Sequence, residues 1–182
     1  MSYSKRTRTL KNGSFIGKSV LYWMVRDKRF NDNWALFAAQ KAALKNKVPL
    51  HVCFQYDPKA KTATLREYDF LFKGLKETAL KLFKHNIQFH LLKGDVLNQI
   101  LTLCSKINVG TLITDFSPLK IYRRRLNRVL KKVDCPVYQT DAHNIIPVWK
   151  ASNKKEFAAH TIRKKINNLL TEYLDEPSNC IF

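Results

Sequence analysis

Ser19-Val20-Leu21-Tyr22-Trp23-Met24-Val25 is a seven-residue run without a charge. A strand wetted on one face alternates polar and apolar residues. An unbroken apolar run belongs to a strand covered on both faces, as in a parallel sheet. The downstream sequence supplies the covering helices. Asn31, Asp32 and Asn33 offer capping side chains for a helix through about Asn46, and Val48–Tyr56 is the next strand. A helix from about Thr64 to His85 places Leu65, Tyr68, Leu71, Phe72, Leu75, Ala79, Leu82 and Phe83 on one apolar face. Ile87–Leu92 is a third strand, and Asp95 caps a helix that turns Leu97, Ile100, Leu101 and Cys104 inward. Val109–Thr114 is a fourth strand, Leu119–Val133 a helix, and Cys135–Thr140 a fifth strand. A last helix runs from Glu156 to about Tyr173, opened by Ser152 or Asn153 and ended by Pro177. Strands alternating with helices specify an α/β fold, here a five-stranded, doubly wound parallel sheet.

The chain's 182 residues suit one such domain. Residues 1–18 carry Lys5, Arg6, Arg8, Lys11 and Lys18 and no acid, which reads as a basic, disordered arm. Cys53, Cys104, Cys135 and Cys180 are at least 31 positions apart, so no CxxC element exists, and reduced thiols in an intracellular compartment are expected. No apolar run approaches the roughly 18 residues of a membrane span, and no cleavable leader follows the basic start. The expectation is a soluble protein, nuclear or cytoplasmic and not secreted.

Ligands of open parallel sheets bind beyond the carboxyl ends of the strands. Three such loops are rich in polar groups: Arg26, Asp27 and Asn33 after the first strand, Asp115 and Ser117 after the fourth, and Asp141, His143 and Asn144 after the fifth. These groups can bind a ligand or a neighbouring domain; they can equally pair with and cap one another. GxGxxG, GxxxxGK[ST], HExxH and GxSxG are all absent, and five glycines leave little for a phosphate-cradling loop. His143 with Asp141 suggests acid–base work but lacks a nucleophile. The other histidines are scattered, and their spacing indicates no metal.

The balance of 33 basic against 14 acidic residues gives a charge of +19, which favours polyanions, nucleic acid first. From Pro118 to Lys165 there are 13 basic and 3 acidic residues. Lys120, Arg123, Arg124 and Arg128 surround the apolar stripe of one helix, formed by Leu119, Tyr122, Leu126, Val129, Leu130 and Val133. Arg163, Lys164 and Lys165 do the same on the last helix. A solvated helix normally mixes signs. One-signed faces point to phosphate contact, which positions a nucleic acid without reading its sequence. Trp23 and Trp34 fall at packing positions; Trp149 lies in an irregular stretch, where it can pack against something outside this chain.

The strand-end motifs also carry a family resemblance. Tyr22-Trp23-Met24-Val25-Arg26-Asp27 with Asp32-Asn33-Trp34-Ala35-Leu36 resembles the opening of class II cyclobutane pyrimidine dimer photolyases, of the photolyase/cryptochrome family. Pro49–Phe54, Phe89–Leu92, Thr114–Leu119, Asp141–Trp149 and Thr161–Ile166 continue it, so that it covers residues 19–176. The resemblance implies a Rossmann-like N-terminal domain that holds an antenna chromophore, a deazaflavin or a folate, in some members. It also implies a helical C-terminal domain that binds FAD and the flipped-out dimer, which excited, reduced FAD splits by electron transfer. Arg26, Asp27, Asn33, Asp115, Ser117, Asp141, His143, Asn144 and Trp149 then become chromophore or interdomain positions. The basic helices become DNA contacts. The chain departs from the pattern by ending at Phe182 with a divergent tail, 177–182, before a helical FAD domain. That domain would have to be supplied in trans, and this chain alone is expected to be catalytically incompetent. Smaller departures are Val25 for serine, Lys120 for arginine and His160 for arginine. Two other functions fit the same residues, a repurposed basic nucleic-acid-binding module and a chromophore-binding light-sensing subunit.

Overall fold

The structure, a computed structural model, describes residues 5–59 and 64–174; the 177–182 tail with Pro177 and Cys180 lies outside them. In chain order the elements are β1 (Thr7–Lys11), β2 (Ser19–Met24), α1 (Trp34–Asn46), β3 (Leu50–Tyr56), α2 (Leu65–Lys84), β4 (Gln88–Lys93), α3 (Val96–Lys106), β5 (Val109–Asp115), α4 (Lys120–Leu130), β6 (Val137–Thr140), α5 (Val148–Ala151) and α6 (Ala159–Tyr173). The sheet order is β1-β6-β5-β2-β3-β4. β2 through β6 pair in parallel, and β1 pairs antiparallel with β6.

β2 sits centrally, and its alternation explains its unbroken apolar sequence. Val20, Tyr22 and Met24 pack with Ala35, Leu36 and Ala39 of α1 and with Leu75 and Leu82 of α2. Leu21 and Trp23 pack on the other face with Ile100 and Leu103 of α3 and Val129 of α4. Both faces exclude water, so neither tolerates a polar position. The starts of α1, α2 and α3 are set by side chains. Asn33 Oδ1 accepts from the Ala35 and Leu36 amides at 3.1 and 2.9 Å, and Asp95 caps α3 in the same manner. Thr64 and Glu67 form a reciprocal capping box at α2.

Three sequence expectations require correction. The supposed disordered arm contributes β1, whose Thr7 faces Thr140 and whose Arg8 faces Gln139 in the sheet register. Charged residues suit an edge strand, where one flank stays wet. The last helix begins at Ala159 rather than Glu156, because Glu156 turns back to Lys165 and Ser152. Leu65 and Phe83 of α2, and Leu119 before α4, are exposed rather than part of the apolar stripes, since the helices touch the sheet along narrower faces than their sequences suggest.

Arg6 ties β1 to the rest. Its guanidinium lies 4.7 Å from the Trp34 ring centre and 5.6 Å from that of Tyr173, and it donates to the Asn144 and Tyr173 carbonyls at 2.7 Å each. A lysine cannot reproduce a planar fork stacked between rings. Arg6→Ala is expected to lower unfolding free energy by about 3 kcal/mol, with Arg6→Lys recovering little of it; urea denaturation checks both.

Cys53 and Cys135 are buried, Cys104 is half-buried, and all three are free thiols. Burial pushes Cys104 up to about 12 and Cys135 to about 11, so almost no thiolate exists at neutral pH. Iodoacetamide at pH 8 is expected to leave all three unmodified in the native chain and to modify them in urea, as read by mass spectrometry.

Candidate functional site

The sheet order reverses between β2 and β5. From β2 the chain steps through α1 to β3 and β4, then returns through α3 to β5 on the other side. The carboxyl ends of these strands therefore open onto the crevice where such folds bind ligands.

Most polar groups in the three loops hold the loops themselves together. Asp115 is buried at the end of β5. Its Oδ1 accepts from the Val25 amide at 2.7 Å and from the Tyr22 hydroxyl at 3.4 Å; its Oδ2 accepts from the Arg26 amide and, at 3.1 Å, from the Asp27 amide. Burial raises its pKa, and the amides oppose the rise. Asn33, besides capping α1, donates to the Asp27 and Arg29 carbonyls. Asp141 is likewise buried and accepts from the amides of His143, Asn144 and Val148 and from the Asn144 side chain. Arg26 is half-exposed at the loop surface.

His143 pairs with a carboxylate that sequence separation concealed. Its Nδ1 lies 3.1 Å from Asp27 Oδ1, whereas Asp141 contacts only its backbone. Asp27 is buried and burial raises its pKa, against the pull of His143 and Arg29; its Oδ2 has no hydrogen-bond partner. The histidines are also less scattered than their spacing suggests. His51 Nδ1 lies 3.0 Å from His90 Nε2 across β3 and β4, and burial lowers both pKa values. Among the described residues no three His, Cys, Asp or Glu side chains gather as a metal site.

A cavity of about 370 Å³ opens beside the crevice. Trp23, Phe54, Tyr56 and Tyr68 give it aromatic surface, and Lys28, Asp57 and Arg125 bring charge. The Lys28 ammonium lies 5.6 Å from the Phe54 ring centre, and burial lowers its pKa. The Arg125 guanidinium lies 5.6 Å from the Tyr122 ring centre. Apart from the loop neighbours of Lys28, this constellation was missed in the sequence. The residues after β3 belong to it because β3 adjoins β2, and strand order cannot be read from hydrophobic pattern. The polar end of the Gln55-Tyr56-Asp57 strand was the available signal.

Trp149 is half-buried rather than solvent-facing, because α5 forms and turns it inward. Arg8 stacks on it at 4.2 Å, and Phe116 meets it edge-on at 5.7 Å. Ile145, Val148 and Phe157, all within eight residues of it in sequence, are exposed.

The basic residues divide by partner. Lys120, Arg123 and Arg124 on α4 and Arg163 and Lys164 on α6 are exposed. Arg128 forms an ion pair with Asp95 at 3.1 Å, and Lys165 binds Glu156 and Ser152. α4 packs with α3, and α6 packs with α5.

With this geometry in hand, the chain can be placed among known proteins. The DNA photolyase family model matches residues 20–180, and the chain belongs to that family. It constitutes the N-terminal α/β domain of the photolyase/cryptochrome fold. It is 44% identical over 161 residues to a deoxyribodipyrimidine photo-lyase of Potorous tridactylus, covering 87% of this chain and 30% of that protein. It is 39% identical over 179 residues to the deoxyribodipyrimidine photo-lyase of Arabidopsis thaliana, covering 94% and 36%. The chain thus spans about a third of the length of these relatives. Among solved structures, a Synechocystis cryptochrome superposes with a TM-score of 0.72 at 16% identity, covering 90% of this chain and 37% of the other. A universal stress protein of Archaeoglobus fulgidus superposes at 0.51 and 17% identity, covering 69% and 100%. At such identities these two speak for the fold alone.

Proposed function

We propose that this chain is the antenna-side domain of a class II photolyase, contributing to light-driven, FAD-dependent splitting of cyclobutane pyrimidine dimers in DNA. The observation that carries the reading is the aromatic cavity at the strand ends. Its volume is that of a site for a flat heteroaromatic molecule. Trp23, Phe54, Tyr56 and Tyr68 would bury the ring system of a deazaflavin or a folate, while Lys28 and Arg125 would meet its anionic groups. The bound chromophore would absorb light and pass the excitation to FAD in a helical domain outside this chain. The residues here bind, orient and dehydrate it. No helix among the described residues is long and apolar enough to cross a membrane, in keeping with a nuclear or cytoplasmic site of action.

Titration of the purified chain with a deazaflavin, and separately with a folate, tests the cavity. Saturable quenching of tryptophan fluorescence is expected with one of them, lost when Leu71, which also lines the cavity, is enlarged to fill it in Leu71→Trp. Absence of quenching by both compounds would remove the antenna reading. Incubation of the chain with FAD and ultraviolet-irradiated DNA under blue light is expected to leave the dimers intact. Dimer splitting by the chain alone would overturn its assignment as a partial machine.

A second reading, a basic nucleic-acid-binding module, is favoured by the one-signed exposed faces of α4 and α6. It expects DNA affinity that falls steeply with salt and drops on joint replacement of Arg123, Arg124 and Arg128 by alanine.

A further inference from the structure

Ser117 and Arg123, at the start of α4, do not line the aromatic cavity and hold none of the loop hydrogen bonds described above. The N-cap residue Leu119 offers no side-chain acceptor, so the amides of Lys120, Ile121 and Tyr122 begin the helix uncapped. Two residues before Leu119, Ser117 is only 4% exposed, and its Oγ is a buried polar atom with no hydrogen-bond partner. Buried hydroxyls are normally bonded, so an orphan of this kind indicates an absent neighbour. The hydroxyl borders a small cavity of about 20 Å³, lined also by Arg123 and Gln139. That is room for one oxygen atom.

The Asp115 carboxylate also lines this cavity, but four donors already hold it, and the other charged groups at the corner are guanidiniums. Arg123 is exposed and joins no ion pair among the described residues. Gln139 Oε1 accepts from Arg8 Nε and Nη2 at 3.2 and 2.7 Å, which fixes the Arg8 guanidinium beside the same corner. Burial lowers the Arg8 pKa, the Asp141 charge works against that, and the nearby Arg123 charge adds to it. Two guanidiniums, an uncapped helix start and an unbonded hydroxyl share one requirement, an acceptor-rich anion.

We propose that the Ser117–Arg123 corner is a subsite for a single phosphate group. One phosphate oxygen would enter the small cavity and accept from Ser117 Oγ. The others would face the Arg123 fork and the first amides of α4. Two sources share this chemistry, a phosphodiester of a nucleic-acid backbone and the terminal phosphate of a small ligand. The subsite does not depend on the antenna reading, because Ser117 and Arg123 line only the small cavity and can be replaced without altering the aromatic one.

The test is a titration of the ¹⁵N-labelled full chain with inorganic phosphate at constant ionic strength, followed by amide chemical shifts. Saturable shifts confined to Ser117 and Leu119–Tyr122 are expected. Arg123→Gln should weaken binding roughly tenfold and Ser117→Ala several-fold, while Arg163→Gln on α6 leaves it unchanged. Arg123 is exposed, so its replacement leaves the fold intact. Parallel titrations with the dinucleotide TpT and with thymidine 5′-monophosphate separate the sources. Preference for TpT identifies the backbone diester, and preference for the monophosphate identifies a terminal group. Either result supports the subsite. Linear, unsaturating shifts of similar size on α4 and α6, or an unchanged titration in Arg123→Gln, would overturn it as general charge screening.

Discussion

Asp115→Ala is expected to lower unfolding free energy by about 4 kcal/mol, because it orphans a set of buried donors at once. The carboxylate accepts from three successive amides, those of Val25, Arg26 and Asp27, and from the Tyr22 hydroxyl. None of these can reach water without moving the loop that follows β2. That loop also places Asn33, and Asn33 starts α1. The loss should therefore spread, and hydrogen exchange at the amides of residues 25–36 should rise with it. Asp115→Asn keeps the volume but replaces one acceptor with a donor facing donors, so it should recover little. The pH dependence has a definite sign. Burial raises the folded-state pKa of Asp115 above 3.8, so the folded chain takes up this proton before the unfolded chain as pH falls. The carboxyl's contribution to stability consequently rises as pH drops from the raised pKa towards the unfolded value. Asp115→Asn lacks that rise, and the gap in urea midpoint between it and wild type should widen at acidic pH.

Gly17→Ala should be almost as damaging for a steric reason. A Cβ at position 17 would lie 2.4 Å from the Gly110 nitrogen, 2.6 Å from its Cα and 2.7 Å from the Asn108 carbonyl oxygen. All three are backbone atoms, and Asn108 also accepts from the Lys18 amide at 2.7 Å, so the contact cannot open without disturbing the start of β2. The neighbouring register is already irregular. Ser19 faces Val109, yet Val20 faces Thr111, which leaves Gly110 as an extra residue in β5. A cost of about 3 kcal/mol is expected for Gly17→Ala, measured by denaturant unfolding. Gly110→Ala makes a different clash, 2.6 Å from the Phe15 ring. Phe15→Ala in the same chain should relieve part of it, giving a double-mutant cost below the sum of the singles.

The parts of the fold visible in the sequence were those that local pattern determines. The apolar run of β2, the caps Asn33 and Asp95, and the alternation of strand and helix all state their structure within a few residues. β1 was invisible because Thr7-Arg8-Thr9-Leu10-Lys11 is made a strand by pairing with residues some 130 positions away, and its charges suit a wet edge. The exposure of Phe83 and Leu119 was hidden because helical spacing gives a face but not how much of that face the sheet covers.

The candidate site divides on the same physical line. The strand-end loops were legible as polar clusters, but not who pairs with whom. His143 finds Asp27 rather than Asp141, and Asp115 reaches back to the end of β2. The aromatic cavity depends on β3 lying next to β2, a fact of strand order. The family resemblance supplied a molecular context for these loops that spacing alone could not.

The pairing of β1 with β6 has a consequence for how the chain is made. The ribosome releases residues 7–11 long before residues 137–140, and at roughly 5–20 residues per second the wait is on the order of ten seconds. During that interval the segment has no partner strand, and Tyr173, which Arg6 later bonds, is not yet made. A hydrophobic segment held in this state would invite aggregation, whereas one carrying Lys5, Arg6, Arg8 and Lys11 repels its own kind. The same charges that disguise β1 in the sequence thus keep the nascent chain soluble until the edge of its sheet can close.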